Sequence, residues 1–192
     1  MTAAALSTRD RLWNACAHKT CCRSTRVHVT GADLVRLVES LELPAVAMVT
    51  AVQLPRRDGH GFLLRAGGPR WELVLRKSGR VGSTGAPCVF LLQTNDGHAC
   101  CGAGELRPSS CRAFPAVAAG DEVGVVADYC GCHAWSAADL GENERTSALA
   151  AATEELADSE AVGAWNAMVR RSGRTHTIDE FCDHLLSRRR SR

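Results

Sequence analysis

No stretch of this 192-residue chain is apolar for long enough to cross a membrane, and Ala3–Leu6, the longest apolar run near the start, is too short for a secretory leader. The expected location is therefore cytoplasmic, where thiols are kept reduced. Aromatic residues are scarce, with 4 Trp, 1 Tyr and 4 Phe. A small core reinforced by bound metal is consistent with that scarcity. A dominant charge is lacking too, since 23 basic residues face 21 acidic ones. Four arginines lie in Ser187–Arg192, and without them the balance is −2. The basic tail is thus local, and no nucleic-acid surface is evident. Walker A, GxGxxG, HExxH and GxSxG patterns are all absent. No nucleotide or hydrolase site is marked, and the residues leave enzymatic activity open.

Cysteine is what the chain has in quantity. There are 10, at Cys16, Cys21, Cys22, Cys88, Cys100, Cys101, Cys111, Cys130, Cys132 and Cys182. Two pairs are adjacent, one is spaced CxC, and none is CxxC. Neighbouring cysteines bridge each other only with strain. Soft ligands converging on one point suit a metal better.

The coarse reading is α+β: a small irregular β-hairpin core carrying a cysteine metal cluster, packed against N- and C-terminal helices. Thr8 to about Thr20 suits a short helix, and Val27–Thr30 a brief strand. Thr30 and Asp33 form a capping box before a helix with Leu34, Leu37, Val38 and Leu41 on one face. Pro44 ends that helix or opens another through Val52. Gly67-Gly68-Pro69 and Thr94–Gly97 are turn signals for two hairpins, the second holding Cys88 and Cys101 at its outer ends. Glu122–Asp128 reads as a strand delivering Cys130 and Cys132. The Ala-, Glu- and Leu-rich stretch Ser136–Arg171 predicts helices, interrupted near 158–160 and Gly163, that pack through Leu149, Ala152, Leu156, Trp165, Met168 and Val169. A second capping box, Thr177 to Glu180, opens a terminal helix. One domain is expected, with residues 1–135 as the cysteine-cluster region and 136–192 as its helical part.

Two segments resemble a known family. Cys88-Val-Phe-Leu91 and Cys101 precede Glu105-Leu-Arg107-Pro108-Ser-Ser-Cys111-Arg112-Ala-Phe114-Pro115. Upstream, Cys16-Ala-His18-Lys-Thr-Cys21-Cys22 leads into a strand and an acid-containing helix. Over residues 16–135 this is similar to the YkgJ-type cysteine-cluster family, described as candidate zinc- or iron-chelating proteins. Gly104 stands where that family has a tyrosine, and His18 stands near an expected cysteine. The resemblance implies metal ligation by Cys16, Cys21, Cys22, Cys88, Cys101, Cys111, Cys130 and Cys132, with an iron–sulfur cluster or zinc as cofactor. Cys16 and His18 are alternatives in the first motif, and Cys130 and Cys132 compete for the last. Cys100 and His133 can be read as ligands or as bystanders, while Cys182 reads as core. The remaining histidines have no partner pattern, so surface or satisfied core is expected for them.

Arg107 and Arg112 flank Cys111, and guanidinium groups there would offset thiolate charge and bind the cofactor's surroundings. Arg107 is expected to tie the loop to Glu105 or another acid, and pairing of Arg112 with an acid such as Glu105 is the plain structural alternative. The functions in contention are a metal-chelating cysteine-cluster protein, a redox or protein-modifying enzyme using the cluster, and a thiol-based metal carrier or sensor. The expected partner is a metal ion or cluster. No membrane is expected, and no protein partner is indicated.

Overall fold

A computed structural model describes residues 8–16, 19–55, 59–79, 85–95, 98–126 and 134–189. His18, Cys130, Cys132 and His133 lie outside these, so their expected roles are not addressed by it. In chain order the helices are α1 (Thr8–Ala15), α2 (Thr20–Ser24), α3 (Gly31–Leu41), α4 (Ala45–Met48), α5 (Ser109–Ala113), α6 (Glu142–Ser172) and α7 (Ile178–Arg189). The strands are β1 (Val49–Gln53), β2 (Phe62–Leu63), β3 (Arg70–Leu75), β4 (Leu91–Gln93), β5 (Ala99–Cys101), β6 (Ala116–Ala119) and β7 (Glu122–Val125). The mixture of helices and small antiparallel sheets is α+β.

Two compact units form, each from two stretches of chain. The first comprises Met1–Thr25 and Lys77–Ala152, the second Arg26–Arg76 and Thr153–Arg192. This partition differs from the expected one at residues 135/136, because α6 is one helix whose start belongs to the first unit and whose remainder belongs to the second. Gly163 does not break it. Glycine in a helix costs about 1 kcal/mol relative to alanine. Buried Trp165, Asn166 and Val169 follow directly, and their packing outweighs that cost. Leu149 and Leu156, expected in the packing face, are exposed.

In the first unit, β4 and β5 pair as the turn sequence led one to expect, but Leu91 rather than Cys88 stands opposite Cys101, and Cys88 bridges Lys77 instead. β6 and β7 form a second hairpin that places Ala116 opposite Val125. Ala113, Ala116, Leu140, Ala148 and Ala151 make a small core of short side chains, covered by Ala118, Val123 and Val125.

In the second unit the sheet order is β1-β3-β2, all antiparallel. β1 occupies residues that continuation from Pro44 had given to a helix. Val49 pairs with Leu75 and Gln53 with Trp71, so a distant strand captures a β-branched segment that local preference left ambiguous. The capping box of α3 forms, with Thr30 N donating to Asp33 Oδ2 at 3.1 Å and Asp33 N to Thr30 Oγ1 at 3.2 Å. Phe62 stacks on Phe181 with ring centroids 3.8 Å apart, and Trp165 meets Phe181 edge-on. Cys182 is buried beside them, as expected of a core thiol, and burial raises its pKa to about 12.

Ser172, His176 and Glu180 join the end of α6 to α7. Ser172 Oγ lies 2.8 Å from His176 Nε2, and His176 Nδ1 lies 3.1 Å from Glu180 Oε2. The order imitates a catalytic relay. However, Ser172 Oγ also donates to Val169 O at 2.9 Å, and Glu180 serves as the capping acid for Thr177 N. His176 itself is buried. The network therefore locks the turn.

Candidate metal centre

Four segments of the first unit contribute thiols within electrostatic range of one another. α2 carries Cys21 and Cys22, whose sulfurs are 3.9 Å apart. Cys88 approaches through its backbone, donating N–H to Cys22 O at 2.8 Å. An isolated bridge between Lys77 and Cys88, with Ser78 N donating to Pro87 O at 2.7 Å, closes the intervening loop at its base. Cys101 arrives through the β4–β5 hairpin, and Cys111 through α5, which follows Pro108 at its N-terminal boundary. These sulfurs sense one another: Cys22 feels the charge of Cys21, Cys111 and Cys88, and Cys88 feels that of Cys101 and Cys21.

Electrostatics divides the vicinal pair. A hydrogen bond from the Cys22 thiol lowers the Cys21 pKa to about 6 against the opposing effect of burial. The Trp13 side chain and backbone N–H groups add to the lowering. The same hydrogen bond raises Cys22, and burial and neighbouring thiolates push it further. The pair thus holds one proton between two sulfurs. Burial raises Cys88, with Lys77 and a backbone hydrogen bond from Phe90 opposing.

Two cations missed by the sequence reading sit here. Buried Lys19, in the left-handed region at φ 48°, donates Nζ to Trp13 O at 2.5 Å and Asn14 O at 3.1 Å. Its ammonium lies 4.2 Å from the Trp13 ring centroid. Burial lowers the Lys19 pKa while Cys22 and Cys21 oppose that shift. Lys77 Nζ donates to Cys22 O at 3.1 Å. A signal for both was present: the chain has only 2 lysines among its 23 basic residues, and both stand beside the thiols.

The arginines behave differently. Arg107 Nε donates to Gly104 O at 2.9 Å, closing its own turn. Arg112 is half-buried on α5 beside Cys111. Among the described residues, Glu105 forms no ion pair with either. Cys16 also departs from expectation. It is disulfide-bonded, so in this state it offers no thiolate. Cys100 is exposed next to Cys101.

Among the described residues no three Cys, His, Asp or Glu side chains already form a group that could close on one metal ion. The donor chemistry nonetheless fits a soft metal. Two bonds of ~2.3 Å at a tetrahedral zinc put their sulfurs about 3.8 Å apart, close to the 3.9 Å between Cys21 and Cys22. The chain matches no protein-family model, no curated protein and no solved structure.

Proposed function

We propose that the chain is a metal-chelating cysteine-cluster protein that binds zinc or an iron–sulfur centre through Cys21, Cys22, Cys88, Cys101 and Cys111. The observation carrying this reading is the spacing of the Cys21 and Cys22 sulfurs with three further thiols as electrostatic neighbours. The motif resemblance of these segments to YkgJ-type proteins motivates it. So does the placement of both lysines, because clustered thiolates repel one another and nearby ammonium groups offset that repulsion. A bound metal would supply charge neutralisation and a cross-link between distant chain segments. Cys16, Cys130 and Cys132 would join the proposed ligand set once the disulfide at Cys16 is reduced. Arg112, next to Cys111, would face the negative charge of the centre, and Arg107 would hold the preceding turn. The cytoplasm, with its reduced thiols, is the compartment this chemistry requires.

Metal analysis and absorption spectroscopy on anaerobically purified protein test the proposal. About one zinc, or iron with sulfide and visible charge-transfer bands, is the expected result. Cys22→Ser and Cys111→Ser should each lose metal, whereas Cys182→Ser should retain it. Metal far below one equivalent after reconstitution would refute the reading and leave a thiol redox or protein-modifying enzyme as the alternative, with Cys21 as its thiolate.

A further inference from the structure

A cavity of about 650 Å³ lies within the second unit, between α6 and β3, and no cysteine lines it. One wall is a stripe of α6 at helical spacing: Glu155 and Asp158 at one end, Ser159, Val162 and Gly163 in the middle, Asn166 and Arg170 at the other. The facing wall carries His28, Glu72 and Arg70. Phe62, Phe181 and Leu185 supply an apolar floor.

Charge runs the same way on both walls. Glu72 Oε1 lies 3.3 Å from His28 Nδ1, and Asp158 Oδ2 lies 3.8 Å from His28 Nε2, so these acids share one end. Arg70 Nη1 donates to Gly61 O at 2.9 Å, and Asn166 Nδ2 donates to the same carbonyl at 3.0 Å. Arg70 therefore belongs to the end where Arg170 lies one turn beyond Asn166. Arg70 and Glu72 are two residues apart on one strand face, about 7 Å by strand geometry. Even so, the guanidinium bonds a carbonyl while the carboxylate faces His28. Arg170 makes no hydrogen bond or ion pair among the described residues.

Gly163 gives a second, independent observation. It lies mid-helix, lines the cavity, and a Cβ added there would meet nothing within 4 Å. Packing within the described residues does not require a glycine at this point, yet the helix bears its cost of about 1 kcal/mol. What the missing Cβ provides is room on the cavity side.

We propose that this groove binds a short extended peptide with both termini free. Its ammonium lies at Glu155, at the end where His28 engages Glu72 and Asp158, and its carboxylate at the Arg70 and Arg170 end. From Asp158 to Asn166 or Arg170 the helix rises about 12 to 18 Å, and an extended peptide of roughly four residues spans about 14 Å. The apolar floor takes side chains, and the peptide backbone passes over Gly163.

Calorimetric titration of the full chain tests this with a four-residue peptide of alternating alanine and leucine. Its free, N-acetylated and C-amidated forms are compared. The free form should bind, and each blocked form should bind about tenfold more weakly, as loss of one charge-assisted contact implies. Glu155→Gln should weaken the free peptide but not the acetylated one, and Arg170→Gln should weaken it but not the amidated one. Gly163→Ala should reduce binding while leaving the thermal midpoint unchanged or raised. No binding of the free peptide at millimolar concentration would overturn the proposal. Equal affinity of the three forms, unaltered binding by Gly163→Ala, or equally tight binding of spermidine would overturn it as well.

Discussion

With metal removed by a chelator, Cys21 should alkylate with a pH profile unlike that of an ordinary thiol. Its pKa is lowered from 9.0 to about 6, chiefly by the Cys22 thiol. At pH 7 about 90 % of Cys21 would then be thiolate, against about 1 % for a thiol titrating at 9. The gain in rate is smaller than that ratio, because nucleophilicity falls with basicity and three units cost roughly 15- to 30-fold. The net advantage is about 3- to 6-fold at pH 7, rises to roughly 20-fold at pH 6, and vanishes or reverses by pH 8. Partial burial of Cys21 slows every rate by a common factor, so the shape of the profile is the diagnostic quantity. Iodoacetamide labelling followed by peptide mapping between pH 5 and 9 gives that shape. A midpoint near 6 with a plateau above 7 is expected, and in Cys22→Ala the midpoint should move upward as the hydrogen bond is lost and burial prevails. A Cys21 rate that climbs tenfold per pH unit through pH 8 would refute the reasoning.

Phe181→Ala should cost about 3–5 kcal/mol in chemical denaturation, because the ring is 1 % exposed and packs on Phe62 and Trp165; a loss under 1 kcal/mol would mean that this core is not formed. Glu180→Gln keeps the cap acceptor but removes the charge. The Glu180 pKa is lowered to about 2, first by Arg174, so the charge stabilises fully above the ordinary 4.5 and its contribution is lost as pH falls through 2. The variant should be the less stable protein at pH 6, and the difference should close between pH 4.5 and 2; a gap independent of pH would contradict this assignment.

The local devices of this chain are legible in its sequence. Thr30 with Asp33, and Thr177 with Glu180, fix two helix starts because each cap is satisfied within four residues. The β4–β5 hairpin follows from its turn, and the gathering of cysteines into short motifs marks the region of the candidate centre. Tertiary structure decided what depends on distant partners. Val49–Gln53 is a strand because β3 pairs with it, a contact that residues 44–53 alone cannot encode. α6 passes through Gly163 because Trp165 donates Nε1–H to Leu63 O at 2.7 Å and Asn166 accepts from Leu63 N at 2.7 Å. Only the fold brings Lys77 beside Cys22, and only the fold sets acids and arginines at opposite ends of one groove. Caps and turns draw on neighbours along the chain, whereas sites are assembled from residues that meet only after the chain has closed long loops.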